Sequence, residues 1–329
     1  MTKKFTRRQL LIGSVGAVAA SAVAKQAYAQ SWRPSKPIRI VVGDTAGGGT
    51  DQICRIFTEY MSNKLGQSIV VDNKPGANGL VAATDLKNSA ADGYTLLYTT
   101  SGLMTQKFLH KSLPYDHAKD FQPVGACPVA GLAMVASPAT GATNLKEFVD
   151  YARKNPVSIG TFGVGTLAHI AAAEMEKLYG VAFAPVHYRG GAPMWADLAG
   201  GSLHAAIGGA AGAQNVVDMG KGKVVAIQGP TRLIRFPDVP TFKEQGAASR
   251  SLSITGYTCM MASAAVPEDI INTCSRLIVE AGRDEATWQK LLTIGTEERP
   301  IGREQFQRWI VEEVPIWGEL ITGLGLTPN

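Results

Sequence analysis

The residues best suited to holding a ligand lie in two glycine-rich loops, each set between an apolar, β-rich run and a stretch with helical periodicity. The first loop, Gly43-Asp44-Thr45-Ala46-Gly47-Gly48-Gly49-Thr50-Asp51, follows Ile38–Val42. Its glycines let peptide N–H groups approach a ligand closely, and Thr50 has the side chain of a helix N-cap. The first turn of a helix leaves its N–H donors unpaired and carries about half a positive charge, so the loop reads as an anion site. The second loop, Gly163-Val164-Gly165-Thr166, follows a run ending at Phe162 and opens a helical stretch that reaches Tyr179 and stops at Gly180. Two such helix starts facing each other across a cleft would suit a small dicarboxylate or similar acid.

Glycine-rich turns between strand and helix also serve plain close packing, so the chemistry has to be weighed against alternatives. Gly43 and Gly48 have the spacing of a phosphate-binding P-loop, but Gly49 stands where its lysine should be. Gly163-x-Gly165-x-x-Ala168, with Arg189 beyond the next strand, is nearer to a dinucleotide fingerprint. That match keeps open an exported NADP-dependent oxidoreductase as a competing reading. His110, His117, His169, His187 and His204 are scattered without metal-ligand or triad spacing. Neither a metal nor a cofactor is expected. Cys54, Cys127, Cys259 and Cys274 lack any CxxC pattern and read as four buried thiols, with one bridge permitted in an oxidising compartment.

Positioning these loops requires a folded chain outside the cytoplasm. Residues 1–29 predict an export signal: four basic residues in Met1–Arg8, an apolar stretch from Leu10 to Ala24, and a small-x-small cleavage site at Ala27-Tyr28-Ala29. Thr6-Arg7-Arg8-Gln9-Leu10-Leu11 has the look of a twin-arginine motif, though an ordinary secretory signal is the alternative. The expected mature start is Gln30. The chain holds 32 basic and 27 acidic residues; removing Lys3, Lys4, Arg7, Arg8 and Lys25 leaves 27 of each. A balanced mature chain gives no electrostatic footprint for nucleic acid. About 300 residues, 45% apolar in the whole chain, are enough for two packed domains.

Apolar runs alternating with helix-period segments predict an α/β fold of two similar halves with parallel sheets. Strands are expected at Ile38–Val42, Ile69–Val71, Thr95–Thr99, Ala133–Ala136, Ser158–Phe162, Phe183–Tyr188, His204–Ile207 and Val224–Ile227. Three helices are expected at the end: Ile270–Ala281, Glu285–Ile294 and Arg303–Leu320.

Several collinear motifs then carry a family resemblance. Lys36-Pro37-Ile38-Arg39-Ile40-Val41-Val42, Gly47-Gly48-Gly49-Thr50-Asp51, Val71-Asp72-Asn73-Lys74-Pro75-Gly76-Ala77-Asn78-Gly79 and Asp92-Gly93-Tyr94-Thr95-Leu96-Leu97 come first. Leu113-Pro114-Tyr115-Asp116, Gly163 to His169, Val186-His187-Tyr188-Arg189-Gly190 and Pro237-Asp238-Val239-Pro240-Thr241-Phe242 follow in order. Together, over roughly residues 36–246, the chain resembles the TctC-like substrate-binding proteins of tripartite tricarboxylate transporters, often called Bug proteins.

The resemblance implies a type II periplasmic binding protein, with two α/β lobes joined by two crossing segments. Lobe 1 would take residues 30–128, lobe 2 residues 129–257, and residues 258–329 would return to lobe 1, with crossings near Pro128 and Tyr257. Cys127 and Cys259 would then flank the hinge. The implied partners are a small organic carboxylate and a membrane carrier with a large and a small subunit. Carried over by position, the ligand site would comprise Ala46, Gly47, Gly48, Thr50 and Asp51, then Ser101, then Gly163, Gly165, Thr166 and His169, with Tyr188 and Ala210 on the far wall. Asp51 and His169 are expected to order their loops. Where the family has a Pro-aromatic-Pro run, this chain has Gly43-Asp44-Thr45. The expected carboxylate is aromatic or carries a donor or cationic group; Asp44 turned into the cleft would favour the donor or cationic group, and turned away, it would cap a neighbouring turn. A ligand sensor for a signalling partner would have the same sequence features.

Overall fold

The computed structural model describes residues 32–323 and 325; the expected export signal and the Gln30 start lie outside them. Among the described residues eleven strands run in chain order: β1 (Ile38–Val42), β2 (Ile69–Asn73), β3 (Thr95–Thr100), β4 (Phe121–Val129), β5 (Leu132–Ala136), β6 (Val157–Thr161), β7 (Phe183–His187), β8 (Ala205–Gly208), β9 (Lys223–Gln228), β10 (Gly256–Ser263) and β11 (Ile301–Gly302). Among them lie helices α1 (Gly49–Leu65), α2 (Leu80–Lys87), α3 (Gly102–Leu109), α4 (Leu145–Ala152), α5 (Leu167–Tyr179), α6 (Gly191–Ala199), α7 (Ala210–Asp218), α8 (Arg250–Ser253), α9 (Glu268–Arg283), α10 (Glu285–Ile294) and α11 (Arg303–Gly323).

The strands form two sheets, one per lobe: six strands in the order β11-β4-β10-β3-β1-β2, and five in the order β7-β6-β8-β5-β9. The sheets are mixed, which corrects the expectation of parallel ones. β1 pairs parallel with β2 and β3, and β6 with β7 and β8, as strand-helix-strand units require. By contrast β10 runs antiparallel to β3 and β4, and β5 antiparallel to β8 and β9. These are the segments that arrive from the other lobe. They enter their sheet without a crossover helix, so nothing holds them to the common direction. The chain leaves the six-stranded sheet at Val129, enters the five-stranded one at Leu132, and returns at Gly256.

Helix ends follow local chemistry. α1 stops where Gly66 takes a left-handed conformation (φ 66°), and Gly180 (φ 61°) does the same for α5. The α5 N-cap is Thr166, whose Oγ1 accepts the His169 N–H at 3.4 Å. α1 departs from expectation: its N-cap is Gly48, and Thr50 already lies within the helix.

α11 belongs to both lobes. Phe306 packs in the first lobe's core with Val41 and Tyr257, while Trp317 and Ile321 are buried with Met134, Phe148 and Ile159 of the second. Pro315 sits between the two stretches. All four cysteines are buried free thiols. Cys259 stands opposite Ala126, one position off Cys127. Side chains alternate across a strand, so the two thiols face opposite sides of the sheet and cannot bridge.

Candidate functional site, a cleft where five helices begin

The two lobes enclose a cavity of about 130 Å³. Five helices start on its wall: α1 at Gly49 and Thr50, α3 at Gly102, α5 at Leu167, α6 at Gly191 and Ala192, and α7 at Ala210 and Ala211. Two belong to the first lobe and three to the second. Each presents the positive end of its dipole. Among the described residues no Lys, Arg or His side chain lines the cavity, and Asp44 is its sole carboxylate.

An account of the peptide donors shows what the loops offer. In the first loop the Gly47 N–H donates to Asp51 Oδ2 at 2.9 Å, the Gly48 N–H to the Thr45 carbonyl at 2.9 Å, and the Thr50 N–H to Asp44 Oδ2 at 3.2 Å. In the second, the Gly165 N–H donates to His169 Nδ1 at 3.1 Å. The amides of Gly49, Thr166, Leu167, Ala210 and Ala211 find no protein acceptor among the described residues. These are donors set around one cavity, and an anion seated there would be held by main chain.

Asp51 does not line the cavity. Its carboxylate also accepts from Arg55 Nε at 2.9 Å and Asn73 Nδ2 at 2.8 Å. Burial acts to raise its pKa, but the bonds from Arg55, Gly47 and Asn73 outweigh that and hold it below the ordinary carboxylate range. His169 is likewise off the cavity wall, buried against His187 with ring centroids 4.5 Å apart. Burial, with the neighbouring His187, pushes its pKa down to about 4, so the ring is neutral and Nδ1 is free to accept.

Asp44 both faces the cavity and caps. Its Oδ1 accepts the Thr45 N–H at 2.7 Å, its Oδ2 accepts from Thr50, and Gly190 of the other lobe packs against the carboxylate. Burial raises its pKa, against the pull of those donors.

Of the residues singled out from the sequence, the cavity wall brings together Asp44, Gly47, Gly48, Thr50, Ser101, Gly165, Thr166 and Ala210. Ala46 is exposed to one side, and Gly163 lies behind, packed near Asn78 of the facing lobe. Asn78 Nδ2 also donates to the Val164 carbonyl at 3.3 Å, so this loop is not open as a dinucleotide cradle. Tyr188 misses the cavity because its Oη donates to Asp197 at 2.6 Å, which draws it away. Sequence reasoning missed Gly191, Ala192 and Trp195. The signal available was a third glycine pair, Gly190-Gly191, directly after a strand. Trp195 packs against Gly208 and Gly212, where any Cβ would strike its ring, and it supplies an aromatic wall from the second lobe.

Comparison with known proteins places this architecture. Residues 53–326 match the model of the tripartite tricarboxylate transporter family receptor. The chain belongs to that family. The receptor is 31% identical over 305 residues to a UPF0065 protein of Bordetella bronchiseptica, covering 92% of this chain and 89% of the relative. Among solved structures it resembles the periplasmic binding protein BugD (TM-score 0.83, 26% identity, 90% of this chain and 100% of that one). It also resembles Rpa4515 of R. palustris, solved with adipate (TM-score 0.85, 26% identity, 90% and 99%). It is therefore a periplasmic solute-binding receptor with the two-lobed α/β fold of periplasmic binding proteins. No helix among the described residues is long and apolar enough to cross a membrane.

Proposed function

We propose that the receptor reversibly captures a small organic carboxylate between its lobes, without catalysis, and delivers it to a membrane carrier with a large and a small subunit. The observation that carries this reading is the set of unpaired amides at Gly49, Thr166, Leu167, Ala210 and Ala211 around one cavity that lacks any basic side chain. A carboxylate satisfies such donors with charge-assisted bonds while Trp195, Leu132 and Trp317 cover the rest of the molecule. Adipate bound to the Rpa4515 relative supports the ligand class. In this reading the described residues from Ile38 to Val129 and from Gly256 to the first half of α11 form one lobe and Leu132 to Thr255 the other, with the end of α11 packed on the second; sheet membership, with β4 ending at Val129 and β10 starting at Gly256, supports the division.

Gentle purification followed by mass spectrometry of released small molecules tests it. An organic acid that rebinds the stripped protein in calorimetry, and binds the Leu167→Pro and Ala210→Pro variants more weakly, is the expected result. Each of those prolines deletes one donor at a first helical position that tolerates it. Recovery of a nicotinamide nucleotide, or of a ligand indifferent to both prolines, would overturn the reading.

A further inference from the structure

A carboxylate already sits in the cleft, and it belongs to the protein. The Asp44 side chain is buried to 8% exposure, accepts the Thr50 amide hydrogen at the start of α1, and is packed against Gly190, which precedes the start of α6 in the other lobe. Glycines from both lobes press on it: a Cβ on Gly48 or on Gly190 would collide with its carboxylate. The space between the α1 and α6 starts is thus shaped to an anion and already filled.

We infer that Asp44 is a built-in anion occupying one subsite of the amide-lined cleft, and that it restricts the cargo to molecules with a single carboxylate whose other end is neutral or a hydrogen-bond donor. This rests on the capture reading above. Of the remaining helix starts, α5 and α7 keep their amides at Thr166, Leu167, Ala210 and Ala211 for the cargo's own carboxylate. A second carboxylate reaching toward α1 would find only the Gly49 amide unpaired, those of Gly47, Gly48 and Thr50 being taken. It would also meet like charge at short range, and none of the described residues lining the cavity supplies a cation to offset it. An amide, hydroxyl or ammonium group in that position would instead donate to Asp44.

The test opens the filled subsite and asks which anions enter. Wild type, Asp44→Ala and Asp44→Asn are compared by thermal shift and calorimetry against formate, against succinate, glutarate and adipate, and against the monoamides of those three acids. The alanine removes the internal anion, whereas the asparagine keeps the space filled and checks that the fold survives. Asp44→Ala is expected to gain about tenfold or more in affinity for formate and the dicarboxylates relative to wild type; Asp44→Asn, which loses the charge but keeps the subsite filled, should not gain for formate and should gain less than the alanine for the dicarboxylates. Wild type is expected to favour the monoamides over the parent diacids. An Asp44→Ala protein that responds to formate and diacids no better than wild type and Asp44→Asn would overturn the inference, as would a wild type that prefers the diacids. If the acid released from purified wild type still rebinds in that case, only this inference falls; if no acid is released or rebinds, the capture reading falls with it.

Discussion

His169 Nδ1 accepts the Gly165 N–H at 3.1 Å, so a ring one turn into α5 fixes the loop that precedes the helix. The bond needs an unprotonated Nδ1. In the folded receptor the ring stays neutral down to about pH 4, below its ordinary value of 6.5. The unfolded chain therefore takes up a proton first as pH falls, and the stability His169 contributes is complete above 6.5 and is lost toward 4. Replacing it by phenylalanine should cost about 1–3 kcal/mol near neutral pH, and about half of that or less once the pH approaches 4.5. Urea midpoints of both proteins at the two pH values measure this; a constant difference would contradict it.

Asp51 has the opposite ordinary chemistry and the same sign. Its pKa is held below the ordinary aspartate value of 3.8 by Arg55, Gly47 and Asn73 despite burial. Its stabilising effect is present above that value and disappears as pH falls through the lower folded one. Asp51→Asn should destabilise by about 1–3 kcal/mol at neutral pH, because the Gly47 amide and Arg55 lose a charged acceptor. The gap between wild type and variant should narrow in acid. Denaturation at pH values above and below 3.8 follows it.

Gly190 meets Asp44 and Thr45 from the other lobe with no room for a side chain. Gly190→Ala should keep the lobes from closing fully while leaving each lobe folded. The expected loss is about tenfold or more in ligand affinity, with a thermal midpoint of the ligand-free protein within about 2 °C of wild type. Calorimetry with the released acid, alongside small-angle scattering, reads both quantities. Unaltered affinity would show that this contact is not part of the liganded state.

The four thiols give a simple check on the fold. Burial pushes all of them up, Cys127 and Cys274 to about 12, and none is paired. A thiol reagent should find no reactive group in the native receptor and four after unfolding without reductant. A count of two would mean a bridge.

The sequence made the strands and helices of ordinary strand-helix-strand units legible. Ile38–Val42 and Glu285–Ile294 match their predicted bounds, because periodicity and a following glycine mark both. β4 and β10 stayed hidden for a physical reason. β4 contains Pro123, Gly125 and Pro128, residues that argue against a central strand; β10 holds only a short apolar run, Cys259 to Ala262, that helix and strand share. In the site, glycine loops were visible because glycine is unambiguous. Asp44 and Tyr188 were not decidable, since their orientation depends on Gly190 and Asp197, neighbours supplied by the tertiary fold. The N-cap misassignment at Thr50 has the same origin: Asp44, six residues upstream, takes the amide that a local cap would have served.

A grip built from peptide groups has an evolutionary consequence. The donors at Thr166, Leu167, Ala210 and Ala211 belong to the backbone, so most side-chain replacements leave them in place. Changes at Asp44, Gln52, Ser101 or Trp195 can re-tailor the chamber one mutation at a time, and the hold on the common acidic group is inherited intact. A lineage with such a receptor can switch nutrients without first losing its capacity to hold one.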